Sequence, residues 1–178
     1  AETLYGAHMM LPGFVNSHHH VGLTPLQLGS PDYALELWFA GRLSARDIDP
    51  YLDTLYSAFE MIESGITTVQ HIHGWMKGPY ANVHSAASEV LRAYKDMGMR
   101  TSYCFAVREQ NHFVYESNEE FCKRLPPDVG TVLAAHLKAQ EMPFNEYMTL
   151  FDELKEANAS PLVKIQLAPA NLHWMTDE

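Results

Sequence analysis

Cysteine, long apolar runs and basic charge are scarce in this chain. Its 178 residues include 2 cysteines, Cys104 and Cys122, too few for the disulfide framework of a small secreted domain. A reducing, cytoplasmic setting is therefore expected. Cys104 sits in an apolar strand-like run and reads as a small buried hydrophobe. No apolar run reaches the roughly 18 residues of a membrane span, so no membrane partner is expected. The opening Ala1-Glu2-Thr3-Leu4-Tyr5 lacks the basic and apolar regions of a signal peptide. Against 12 Lys and Arg stand 22 Asp and Glu. Nucleic-acid binding relies on clustered cations, and this balance argues against such a partner. The acidic residues are scattered along helical stretches and read as a solvated surface. No Gly-x-Gly-x-x-Gly or Walker-type loop follows any strand-like run, which weakens nucleotide binding.

What is present is a regular alternation. A hydrophobic content of 47% with 19% charged residues reads as globular, with one sizeable core. Residues 14–16, 66–69, 101–107 and 162–167 read as strands. Helical patterns cover 32–39, 50–63, 82–97, 119–124, 129–140 and 145–156. In the 50–63 helix, Leu52, Leu55, Phe59 and Ile62 recur at 3-4-3 spacing and predict one buried face. Strands alternating with helices imply an α/β fold with a parallel sheet. The polar segments follow the strands, at their C-terminal ends. That edge carries ligands in both (β/α)8 barrels and open doubly wound sheets.

The most telling segment is Pro12-Gly13-Phe14-Val15-Asn16-Ser17-His18-His19-His20. Alternate residues of a strand share a face, so His18 and His20 point one way and His19 the other. Two imidazoles on one strand face suit a divalent transition ion such as Zn or Fe. A solvated His-rich turn or a purification tag is the bland alternative. A tag usually sits at a terminus and runs longer, so the metal reading is preferred.

This segment resembles the first-strand signature of the metal-dependent amidohydrolase superfamily, in its cytosine-deaminase-like and chlorohydrolase-like branch. Glu63-Ser64-Gly65-Ile66-Thr67-Thr68-Val69 is similar to the Gly-hydrophobic-Thr-Thr element of the second strand. Gly98-Met99-Arg100 and Leu167-Ala168-Pro169-Ala170-Asn171-Leu172-His173-Trp174 resemble the opening of the third strand and the loop after the fourth. The resemblance implies that His18 and His20 hold one divalent metal ion, Zn or Fe. It implies deaminase-like hydrolysis of a non-peptide C–N bond by metal-bound hydroxide, with a small molecule such as a nitrogen heterocycle as the substrate. It further implies that residues 12–178 are the N-terminal half of a TIM barrel, about four βα units of the roughly 250-residue fold. Residues 1–11 would be the tail of a small flanking β-sandwich. The remaining ligands and the proton-transferring Glu and Asp are expected downstream, so the chain is expected to be inactive alone. A half barrel leaves open edges and an unclosed interior, hence the expectation of a homo-oligomer or a partner half-barrel.

Further polar residues are candidates for substrate contact. His71 and His73 form a second His-x-His pair, expected on one side and beside the first pair. A second metal site is one reading; pocket-wall or core roles are preferred, since the family pattern has no ligand there. After the third strand, Arg108 and Gln110 lie in a dense polar cluster that runs from Arg108 to His112. Arg108 clamping a carboxylate or carbonyl competes with simple pairing to neighbouring loops. After the fourth strand stand Asn171, His173 and Trp174, the last able either to stack on a ring or to pack ordinarily. Gln27 is a weaker candidate. Lys164 lies near the start of its strand and reads as remote from the catalytic edge. His8, His84 and His136 read as structural or solvated. A non-catalytic metal-binding or assembly half-barrel, and an unrelated open-sheet metal-binding protein, remain as alternatives.

Overall fold

The computed structural model describes residues 9–20, 32–43, 47–74 and 78–177. Four strands, β1 (Phe14–His19), β2 (Ile66–His73), β3 (Arg100–Val107) and β4 (Val163–Pro169), form one sheet in the order β1-β2-β3-β4. All three pairings are parallel. The α/β expectation holds, with two adjustments. The first and second strands run on to His19 and His73, so the second His-x-His segment is wholly strand and the first is strand up to His19, with His20 just beyond it. Among the described residues β1 and β4 are the edge strands.

The helices are α1 (Leu35–Leu43), α2 (Pro50–Glu63), α3 (Tyr80–Asp96), α4 (Asn118–Lys123), α5 (Pro127–Lys138) and α6 (Phe144–Ala157). The start of α2 follows from its sequence. The Asp49 side chain accepts from the amides of Tyr51 and Leu52 at 2.9 and 3.1 Å, while Pro50 takes a first-turn position that needs no donor.

The Pro-Gly-Phe and Ser-Gly-Ile-Thr-Thr segments interlock. The Phe14 amide donates to the Gly65 carbonyl at 2.8 Å, and Gly65 ends α2 at a φ of +79° that a side chain disfavours. A Cβ on Gly13 would collide with the Thr67 side chain. Each segment therefore fixes the entry of the other's strand.

One expectation is reversed. On α2 it is Asp53, Thr54, Ser57, Ala58 and Met61 that are buried, while Leu52, Phe59 and Ile62 are 60, 60 and 43% exposed. Small side chains let the helix lie close against the sheet. The larger apolar ones are left exposed, with no described element packed over them.

The main core joins Val69, Tyr103 and Phe105 of the sheet to Val83, Val90, Leu91 and Tyr94 of α3 and to Tyr147, Leu150 and Leu154 of α6. A smaller cluster of Phe113, Cys122, Leu137 and Trp174 lies beyond the C-terminal ends of β3 and β4, with Trp38 of α1 packed on it.

Candidate metal and substrate site

Opposite the helix layer the sheet lines a cleft of about 740 Å³. His18 of β1 and His20 just after it face it, together with Gln70 and Ile72 of β2, Cys104 and Ala106 of β3, and Gln166 and Ala168 of β4. The register explains the set, because Ile72, Cys104 and Gln166 are aligned across the three strands and share a face.

His18 and His20 bring their Nε2 atoms within 2.9 Å of each other. Two nitrogens of a tetrahedral zinc site, each bonded at about 2.0–2.1 Å, lie about 3.3 Å apart. Nδ1 of His20 donates to the Ile72 carbonyl at 2.7 Å, which places the neutral ring's lone pair on Nε2. That is the orienting bond ligand histidines ordinarily make. The pair therefore fits a divalent ion. Among the described residues no group of three His, Cys, Asp or Glu side chains converges to hold one.

The facing of β1 depends on an irregularity. Asn16 pairs with Val69 and His19 with His71, so β1 spends one more residue than β2 over this stretch. Asn16 contacts Met61 of α2 on the helix side. The extra residue lets His18 and His20 turn to the cleft instead of following Asn16.

The second His-x-His pair corrects the expectation that it would stand beside the first. His71 and His73 point into the helix layer and are absent from the cleft wall. Nδ1 of His71 is hydrogen-bonded to the Tyr94 hydroxyl at 3.0 Å and Nδ1 of His73 to that of Tyr103 at 2.8 Å. Burial holds His71 well below the ordinary imidazole pKa and pushes His73 down to about 4, so both are neutral at pH 7. His19 turns to the same side, with its ring centroid 6.1 Å from that of His71.

The β3 and β4 loops are laced together. The amides of Glu109 and Gln110 donate to the Trp174 carbonyl at 2.8 and 3.2 Å. Gln110 donates through Nε2 to the Met175 carbonyl at 2.7 Å, Asn111 through Nδ2 to the His173 carbonyl at 2.8 Å, and Glu109 accepts from the Thr176 hydroxyl at 2.8 Å. The predicted contacts Gln110, Asn171 and His173 are exposed loop residues outside the cleft wall. Asn171 caps the turn Leu172–Trp174, its side chain accepting from the His173 amide. The His173 ring lies edge-on to Tyr115.

Arg108 and Trp174 do line the cleft. The Arg108 guanidinium sits 3.8 Å from the centre of the Trp174 ring and donates to the His112 carbonyl at 3.1 Å. Burial lowers its pKa to about 10, still fully charged at pH 7. Tyr115 stacks on the same indole at 5.9 Å, 9° from parallel. Trp174 is thus a packed wall residue with aromatic and cationic partners already on it. Lys164 is exposed at the second position of β4, away from the C-terminal edge as expected. Gln27 and His8 lie outside the described residues.

Sequence reasoning missed Gln70, Gln166 and His112 in the cleft wall. The signal for the two glutamines was available: each sits within a strand, next to His71 or Ile165 and so on the opposite face from it.

A model of the amidohydrolase family matches residues 9–170. The chain belongs to the amidohydrolase family. A curated relative in this hydrolytic family is the 5-methylthioadenosine/S-adenosylhomocysteine deaminase of Acetivibrio thermocellus, 35% identical over 103 residues. The match covers 54% of this chain and 21% of that protein. The enzyme of the same name from Pyrococcus furiosus is 26% identical over 144 residues, covering 73% of this chain and 32% of the relative. The fold is similar to atrazine chlorohydrolase TrzN from Arthrobacter aurescens, crystallised with zinc, at a TM-score of 0.67 and 17% identity. That likeness covers 93% of this amidohydrolase-family chain and 36% of the chlorohydrolase. The chain thus spans about a third or less of the proteins it matches.

Proposed function

We propose that this chain carries the first two ligands of a metal-dependent hydrolase that acts on a non-peptide C–N bond of a small nitrogen heterocycle. The reaction is deaminase-like. The observation that carries the reading is the pair of Nε2 atoms 2.9 Å apart, facing the cleft with His20 fixed through Ile72. Relatives named as deaminases of adenine-containing compounds support the C–N bond and the heterocycle. In this reading residues 12–178 are the N-terminal half of a (β/α)8 barrel in a cytoplasmic enzyme, and residues 1–11 belong to a flanking β-sandwich.

His18 and His20 would hold one divalent ion, Zn or Fe. When bound, such an ion lowers the pKa of water from 15.7 toward about 7 and polarises the bond under attack. The chain's own residues orient and enclose: Ile72 aims His20, Arg108 and Trp174 close the wall beyond β3 and β4, and Gln70 and Gln166 offer amides to a heterocycle edge.

Catalytic zinc ordinarily has three protein ligands. A third ligand and a proton-transfer carboxylate belong, in this proposal, to residues beyond the described cleft or to a partner half. The two-ligand count among the described residues also favours a second reading, in which the 178-residue chain binds metal or a partner half without turnover.

Zinc titration of the purified chain, followed by metal analysis, tests the proposal. The expected result is one weakly held zinc per chain, lost in His18→Ala and in His20→Ala. A chain that binds no zinc, or binds it equally in both variants, overturns it. Turnover by the unaccompanied chain would overturn the two-ligand part alone.

A further inference from the structure

His112 was not singled out as a site residue, yet it lines the cleft of His18 and His20. Its surroundings define which ring nitrogen carries the proton. The Asn118 side chain bonds His112 twice: Oδ1 accepts from the His112 backbone amide at 2.9 Å, and Nδ2 lies 2.8 Å from the ring Nδ1. The first bond settles the orientation of the carboxamide, since a backbone N–H can only donate and therefore meets the oxygen. The nitrogen end then faces Nδ1. An amide NH₂ only donates, so Nδ1 accepts and the proton of the neutral ring sits on Nε2.

The loop around the residue is held on both sides. Arg108 donates to the His112 carbonyl, and Asn111, at a φ of +52°, ties the preceding turn to the His173 carbonyl. Burial lowers the pKa of the ring, which keeps it neutral near pH 7.

We infer that His112 is a substrate-binding residue that offers its Nε2–H to an unprotonated acceptor atom, a ring nitrogen or a carbonyl oxygen, of the molecule in the cleft. Its role is opposite to that of His20. There the Ile72 carbonyl takes the Nδ1 proton and leaves a lone pair on Nε2. Here the Asn118 amide takes the Nδ1 lone pair and leaves a proton. One cleft therefore holds histidines of both tautomers, one suited to a cation and one to an acceptor. The neighbouring Arg108 adds a second donor-only group on the same wall, and two such groups disfavour a substrate edge that itself carries N–H. This assignment rests on the small-heterocycle reading for the identity of the ligand, and on the Asn118 geometry alone for the tautomer.

Long-range proton–nitrogen NMR of the chain with added zinc separates the two. In the wild type the His112 ring is expected as the Nε2–H tautomer, and adenosine, used as a heterocycle rich in ring-nitrogen acceptors, is expected to shift its Nε2–H signal. Asn118→Asp replaces the donor with a carboxylate that can only accept, so the proton is expected to move to Nδ1 and adenosine binding to weaken about tenfold. His112→Gln, which keeps an N–H, is expected to retain more binding than His112→Phe. An Nδ1–H tautomer in the wild type overturns the assignment. So does an unshifted Nε2–H when Gln70 or Trp174 responds to adenosine, and so does a cleft in which nothing responds. Failure of zinc to move the His18 and His20 rings counts against the proposed metal site and leaves the His112 result standing.

Discussion

His20 and Ile72 are joined by a 2.7 Å hydrogen bond from the ring Nδ1 of one to the carbonyl of the other, between neighbouring strands. Ile72 lies between His71 and His73, whose rings are tied to Tyr94 and Tyr103. The carbonyl that orients the His20 ring is thus flanked by a buried hydrogen bond on one side and a half-buried one on the other. Removing one of them in Tyr103→Phe is expected to weaken zinc binding about tenfold, the lower end of what losing a partner that orients a metal-bound histidine costs. Calorimetric titration checks this, and a change below twofold would show that Ile72 holds its place without them.

Stability should fall as the pH falls below neutrality. The His73 pKa is depressed to about 4 in the folded chain from 6.5, so between those values the unfolded state takes up a proton that the folded state refuses. Its contribution is present above pH 6.5 and is lost toward pH 4, by up to about 3 kcal/mol at 1.36 kcal/mol per unit. His71, held low for the same reason, adds to the loss. Urea unfolding at pH 7.5 and 4.5 should show a smaller drop in His73→Asn, which keeps a hydrogen-bonding group near Tyr103 and cannot titrate in this range. Equal drops in the two proteins would contradict the assignment.

Arg108 over Trp174 should contribute to the fold as well as to the cleft wall. Arg108→Met removes the cation over the indole and the bond to the His112 carbonyl, and is expected to cost about 1–2 kcal/mol. The same variant should shift the Trp174 emission, measured against a Trp174→Phe background. Unchanged stability and emission would mean that Tyr115 alone positions the indole.

The two faces of α2 predict opposite responses. Met61→Ala, on the buried face, should destabilise the chain by about 2–4 kcal/mol. Phe59→Glu with Ile62→Glu, on the exposed face, should leave the unfolding midpoint within about 0.5 kcal/mol and reduce concentration-dependent association. Light scattering of the two proteins decides. Persisting association would place the contact elsewhere on the surface.

The alternation of strands and helices was legible because it depends on local periodicity, and the sharing of a face by His18 and His20 because it depends on strand geometry. Which face they share was not legible. Alternation groups side chains into two sets without saying which meets the helices, and His71 with His73 fell into the helix-facing set because Val69 leads that set into the core. The exposed stripe of α2 was misread for a related reason: amphipathic spacing finds an apolar face but not the neighbour that covers it. Arg108, Gln110 and Asn171 could be placed after their strands from sequence, but the lacing of the two loops joins residues more than 60 apart and leaves no local trace. The role of His112 leaves no mark of its own because it comes from Asn118, six residues on at the start of α4.

The extra residue in β1 between Asn16 and His19 makes the cleft histidines sensitive to length as well as to identity. With strict alternation from Asn16, His18 and His20 would join it against α2 and His19 would take the cleft alone. A chain one residue shorter at Ser17 keeps the pair inward on a regular strand, whereas a second inserted residue turns it outward. Along this strand, then, gain of a single codon can turn the pair out of the cleft while every histidine is retained, a change that comparison of residue identities alone would overlook.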